Sequence, residues 1–212
     1  MNFFGHAVVA TWRSSRPAFV LGAMLPDFSS MIRARPPRTS HADLRAGIEL
    51  HHRTDHAFHR SPTFRRLSAE AFEGLLARGL RRGSSRAVAH IGVELLLDFE
   101  LAEDPASRAA FRAAIVAARA DQLAQHLEWA APAAAPRFLD LCARIEALGS
   151  LEHAGGAEIL ARRVHYALAG RPRLELDAGA IERVIEWGRS FETRVRADAE
   201  AMIAEVEQGL DR

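Results

Sequence analysis

The chain has 212 residues and a formal net charge of +1, with 49% hydrophobic residues. That composition argues against disorder, and the length favours one large domain able to bury a polar site. All 28 basic residues are Arg with no Lys, and the near-zero net charge supplies no broad basic field, so a nucleic-acid partner is not expected. Helical periodicity runs almost throughout, with few β-branched alternations, and predicts an all-α single-domain helical bundle. A first helix is expected over Phe3 to Trp12. A second, from Ala18 to Met24, should stop at Pro26 and leave Asp27 at its C-terminal edge. Arg35-Pro36-Pro37 reads as a surface loop. A third helix runs from Ser40 or His41 to Arg60, and Pro62 restarts the chain as a fourth from Thr63 to about Leu80. Gly83-Ser84-Ser85 should end that helix, with Ser84 or Ser85 capping a fifth over Arg86 to Ala102. Pro105 opens a sixth helix expected to reach Trp129, followed by an Ala/Pro linker over 130–136. Helices at 137–148, 151–169 and 178–208 complete the prediction, the last packing by one stripe.

The lone cysteine, Cys142, excludes an internal disulfide or a thiolate cluster and lies on an apolar helical stripe, as a small core residue would. The first residues lack the positive charge of a signal peptide, and no apolar run approaches ~18 residues, so a membrane span is not expected and a soluble cytoplasmic protein is. Oligomeric state is left open.

Two stretches carry possible metal ligands at four-residue intervals: His51, Asp55 and His59 on the third helix, and His90, Glu94 and Asp98 on the fifth. Residues i, i+4 and i+8 run along one side of a helix. Imidazoles and carboxylates together suit Mn, Fe or Zn, and facing helices can gather such groups at one point. The competing reading for the first ladder is a solvated surface, because four His crowd nine positions there. On the fifth helix Ile91, Val93, Leu95, Leu96, Leu97 and Phe99 surround the polar row, which calls for burial with a partner. That partner is either a metal site or a salt bridge to Arg86 or another Arg. His6 in the first helix and Asp27 are further candidates, against a satisfied core histidine and a capping carboxylate. Arg53, Arg60, Arg65 and Arg66 cluster around the first ladder and suit a phosphate, although each could equally line a solvated face.

The segments MNFFGHAVVA, GAMLPDF, GIELHHRTDHAFHRSPTFRR and VELLLDFEL resemble, in that order, the acyl carrier protein phosphodiesterase family over residues 1 to 101. The resemblance implies an all-helical fold related to HD-type metal-dependent phosphohydrolases. It also implies removal of the phosphopantetheine arm from holo acyl carrier protein with a divalent metal, typically manganese. It sets His6, Asp27, His51 and Asp55 at the family's His and Asp positions, Glu94 at an Asp position and Asp98 at the second acidic position. Phe99 stands where the family carries His, and His59 where it carries Asp, which makes His59 and His90 substitute ligands. The expected metal set is therefore His6, Asp27, His51, Asp55, His90 and Asp98. Glu94 or His59 would serve as base or water-orienting group, and Arg53 or Arg60 would steady the phosphate. LGAMLPD followed by a helical His and Asp is also similar to bacterial zinc-dependent phospholipase C-type proteins. A nucleotide phosphohydrolase, or a non-catalytic helical binding protein that keeps the fold, remains open beside these. The metal half is expected at about 1–102 and a helical scaffold at about 103–212.

Overall fold

The computed structural model describes residues 1–120, 123–147 and 156–211. Among these the chain is all-α: α1 (Phe3–Thr11), α2 (Pro17–Met31), α3 (Ala42–Arg60), α4 (Pro62–Ala77), α5 (Arg82–Leu101), α6 (Pro105–Arg119), α7 (Ala134–Ala147), α8 (Ala157–Leu168) and α9 (Ala178–Leu210). A short 3₁₀ turn spans Ala124–His126. No helix among the described residues is long and apolar enough to cross a membrane.

The chain packs as two compact units, each built from two stretches. One comprises Met1–His56 with Leu101–His153, the other Ala57–Glu100 with Ala154–Arg212. In the first unit, α2 packs on α1 and α6, and α6 on α1 and α7. Aromatic rings hold these helices together. Phe3 meets Phe28 and Phe111 at 5.5 and 6.0 Å between centroids, Phe4 meets Phe111 edge-on at 5.3 Å, and Phe28 reaches Phe138. Such pairs add specific geometry to a large buried area.

Pro26 does not end α2 as expected; the helix runs five residues past it to Met31. Proline removes one backbone donor and crowds the carbonyl four residues back, which favours a break. Here Val20, Leu21, Ala23, Met24, Leu25 and Phe28 are all fully buried, and burying that surface outweighs the local cost. Asp27 consequently projects from within a helix. Against it runs α3, and the two helices cross at Gly22 and Gly47. A Cβ on Gly22 would lie 2.3 Å from the Leu44 carbonyl oxygen, and one on Gly47 would lie 2.2 Å from that of Phe19. Only glycine permits backbones this close.

In the second unit, α9 packs on α4 and α8. Its buried residues, among them Ala180, Val184, Trp187, Val195, Ala199, Met202, Val206 and Leu210, recur at three- and four-residue steps apart from one gap between Trp187 and Val195, the stripe that its charged remainder implied. Trp187 is buried against Gly92 of α5, where a Cβ would meet its ring at 2.7 Å. The break between α4 and α5 falls at Gly79, whose φ of 79° needs glycine, and not at Gly83-Ser84-Ser85. Those three residues belong to the first turns of α5, where the Ser85 hydroxyl donates to the Leu80 carbonyl. The backbone amides of Gly79 and Leu80 close the end of α4 by bonding to the carbonyls of Leu76 and Leu75.

Two further boundaries differ from expectation. Helix α6 stops at Arg119, well short of Trp129. The backbone at Glu128 instead pairs with Arg38 in an antiparallel bridge, and Trp129 packs on Phe138. In the loop 35–37, Arg35 and Pro36 are exposed but Pro37 is buried. The expected start of the eighth helix, at 151, lies outside the described residues.

Candidate functional site

The expected ligands sort into two groups, one in each unit. The first is His6 from α1, Asp27 from α2 and His51 from α3, whose ligand atoms all lie within 4.8 Å of one another. His6 and His51 are buried and their rings face each other at 3.9 Å, while Asp27 is half-buried. His6 Nε2 sits 3.9 Å from an oxygen of Asp27 and 3.9 Å from one of Asp55, so Asp55 joins this group. The α-amino group of Met1 approaches Asp55 at 3.4 Å.

The glycine crossing is what makes this geometry. With α2 and α3 in backbone contact, His51 reaches the Ala23 carbonyl and pairs with it through Nδ1 at 2.8 Å. A carbonyl oxygen can only accept, so Nδ1 carries the hydrogen and Nε2 keeps its lone pair. Burial lowers the His51 pKa to about 4, against the opposing pull of the Ala23 bond and of Asp55. The ring is therefore neutral at neutral pH, the form that binds metals.

The second group is His59 from the last turn of α3 with His90 and Glu94 from α5. The Nε2 atoms of His59 and His90 are 3.2 Å apart. An oxygen of Glu94 lies 3.5 Å from the first and 3.2 Å from the second. The two rings stack at 5.0 Å, and Phe64 of α4 presses edge-on against both at 5.4 Å. Burial works to raise the Glu94 pKa, yet it falls well below the ordinary carboxylate value, and hydrogen bonds from both histidines are among the causes. Glu94 is thus ionised at neutral pH.

Asp98 belongs to neither group. It is fully buried in the second unit, near enough to the Arg163 guanidinium for their charges to interact. Burial lowers the Arg163 pKa while Asp98 holds it up, and that guanidinium lies 5.3 Å over the Phe99 ring. A salt bridge to an arginine, one of the two readings of this acidic row, describes Asp98 better than it does Glu94. Arg53 and Arg60 are both exposed on α3. Arg66 is taken up with Glu70 and Asp198.

Residues that the sequence reading did not single out hold the second group in place. Ser61 caps α4 by accepting from the Phe64 amide and donates to Glu205 of α9. Glu205 also accepts from the amide of Thr63 at 3.1 Å and from its hydroxyl at 2.9 Å. This pins the start of α4 and with it Phe64. A Ser-Pro pair ahead of a helix is a visible cap signal, whereas nothing local marks Glu205.

The family model that matches this chain is described as acyl carrier protein phosphodiesterase and spans residues 1–197. The chain belongs to that family. The match extends through α8 and into α9, far beyond the residues 1 to 101 that carry the visible motifs. The search of curated proteins found no match, and neither did the search of solved structures.

Proposed function

We propose that this chain is a metal-dependent phosphodiester hydrolase that releases phosphopantetheine from holo acyl carrier protein. A divalent ion would be held by His6, Asp27, His51 and Asp55. The carrying observation is the convergence of His6, Asp27 and His51 from three different helices, with His51 fixed as the tautomer whose Nε2 can coordinate. Two imidazoles and two carboxylates fit Mn²⁺, and also Fe²⁺ or Zn²⁺. When bound, such an ion polarises a phosphoryl oxygen and lowers the pKa of water beside it.

The protein's own residues do the rest. The Ala23 carbonyl orients His51 and fixes its tautomer, as an outer-shell partner does in metal sites generally, while burial keeps the ring unprotonated at neutral pH. Asp55, partly exposed, faces His6 from the side open to solvent. Arg53 and Arg60 would attract an acidic carrier protein and its phosphodiester, raising the encounter rate more than the affinity. Glu94 and His59, expected as base or water-orienting groups, belong with His90 in the second group.

The family match over residues 1–197 favours this substrate over the phospholipase C-like reading. Phe99, buried where the family carries His, favours the other alternative, a binding protein that no longer turns over. The test is to measure bound metal in purified protein and to follow the mass of holo acyl carrier protein, and bis-p-nitrophenyl phosphate, with added Mn²⁺. Turnover abolished in His51→Ala supports the hydrolase. Metal bound without turnover on either substrate would establish the binding reading, and turnover confined to a nucleotide panel would reassign the substrate.

A further inference from the structure

His59, His90 and Glu94 form a triangle of donor atoms with sides of 3.2, 3.2 and 3.5 Å. An ion bonded tetrahedrally at ~2.05 Å separates its donors by about 3.3 Å, so the triangle already has the size of one tetrahedral face. The first group, with separations of 3.9 Å around His6, is looser. Without a metal the three groups can hydrogen-bond one another, one ring donating to the other or to Glu94. With both rings unprotonated at Nε2, two lone pairs and a carboxylate oxygen converge on one point, which a cation would occupy.

The surroundings form a built site. Phe64 fixes both ring planes from one side, and Glu205 fixes Phe64 through Ser61 and Thr63. The side chains of His59 and His90 are 33% and 45% exposed, so the fourth position opens to water. Two imidazoles, one carboxylate and an exchangeable position make a donor set suited to zinc.

We propose that the second unit carries its own zinc site, formed by His59, His90 and Glu94 and separate from the His6, Asp27, His51 and Asp55 group. It stands whether or not the hydrolase reading does. The test loads the full-length chain, stripped by chelator, with Zn²⁺ or Co²⁺ alone. Metal content is measured after dialysis, together with the visible spectrum of the Co²⁺ form. Wild type and His51→Ala should both show the intense bands of four-coordinate Co²⁺. In the His51→Ala background, adding His90→Ala or Glu94→Gln should abolish those bands and remove one equivalent of Zn²⁺ with an unchanged circular dichroism spectrum. Glu94→Gln keeps the side-chain volume, and His90 is exposed enough to change without unfolding the chain. Bands missing from wild type, vanishing in His51→Ala, or surviving when His90→Ala is added to His51→Ala would overturn the proposal. Failure of phosphodiester turnover would leave these readouts untouched.

Discussion

Replacing Gly47 with alanine should destabilise the protein, although alanine is the better helix former by about 1 kcal/mol. The new Cβ would stand 2.2 Å from the Phe19 carbonyl oxygen and 2.8 Å from the Ala23 amide nitrogen. Both obstacles are backbone, so neither can swing aside. To reach an ordinary contact, α2 and α3 must part by about 1 Å, an overpacking strain worth roughly 1–3 kcal/mol. The same displacement stretches the 2.8 Å contact between His51 Nδ1 and the Ala23 carbonyl past hydrogen-bond range. Losing that buried bond costs about 1–3 kcal/mol more. Less the helix gain, the net loss is about 1–5 kcal/mol, a fall in Tm on the order of 10 °C for a chain of this size. Gly74→Ala in α4 is the control, because its Cβ would meet nothing nearer than 3.6 Å. There the helix gain stands alone and stability should rise by about 0.5–1 kcal/mol. Urea and thermal unfolding of the two variants decide the matter, with histidine nitrogen chemical shifts reporting the His51 tautomer. A Gly47→Ala protein as stable as wild type, or one that keeps the Nδ1–H tautomer, would refute the crossing as the device that orients His51.

The Glu205 carboxyl is held below the ordinary value of 4.5: burial opposes this, and hydrogen bonds from Ser61 and Thr63 prevail. The stability it contributes is therefore fully present above the unfolded-state pKa and lost as pH falls through the lower folded value. Denaturant melts between pH 6 and pH 3 should be less pH-dependent in Glu205→Gln than in wild type, and that variant should be about 1–3 kcal/mol less stable at pH 7. Cys142 is fully buried, and burial pushes its thiol up to about 12. Ellman's reagent should not react with it in the native protein but should react stoichiometrically in denaturant. Gly92→Ala places a methyl group against the Trp187 ring; a red-shifted Trp emission and a loss of roughly 1–3 kcal/mol in urea melts are expected.

The all-α class was legible because a 3.6-residue apolar period needs no tertiary information. The fifth helix illustrates this: apolar residues on nearly every side of its polar row announced its burial, and Val93, Leu96 and Leu97 are indeed buried. Its boundaries were less legible. Pro26 and Gly83 are both local break signals, and both lie inside helices because packing elsewhere on the same helix outweighs them. Gly79, one turn earlier, carries the same local signal as Gly83, and only the positive φ distinguishes it. Gly22 and Gly47 were visible as letters of two motifs. Their purpose, a backbone crossing that carries His51 to Ala23, requires coordinates. Arg163 was hidden for another reason. A buried Asp98 demands a cation, but in a chain whose every basic residue is arginine the sequence cannot say which one answers.

The two ladders divide for a single geometric reason. Each residue of an α-helix turns the side chain by about 100°, so a step of four returns it to within ~40° of its start and a step of eight leaves it ~80° away. A pair at i and i+4 can serve one point in space; a third rung at i+8 faces a different neighbour unless the helices coil around each other. On α3, His51 and Asp55 accordingly meet His6, while His59 meets His90 and Glu94. On α5 the first two rungs stay together and Asp98 turns to the charge of Arg163. Both donor groups found among the described residues are thus assembled from more than one helix: α1, α2 and α3 for the first, α3 and α5 for the second. Reading a single helix for its ligand period names the right residues and joins the wrong ones. The number of distinct sites follows from the crossings between helices, which makes Gly22, Gly47 and Phe64 as decisive for the chemistry as the histidines they position.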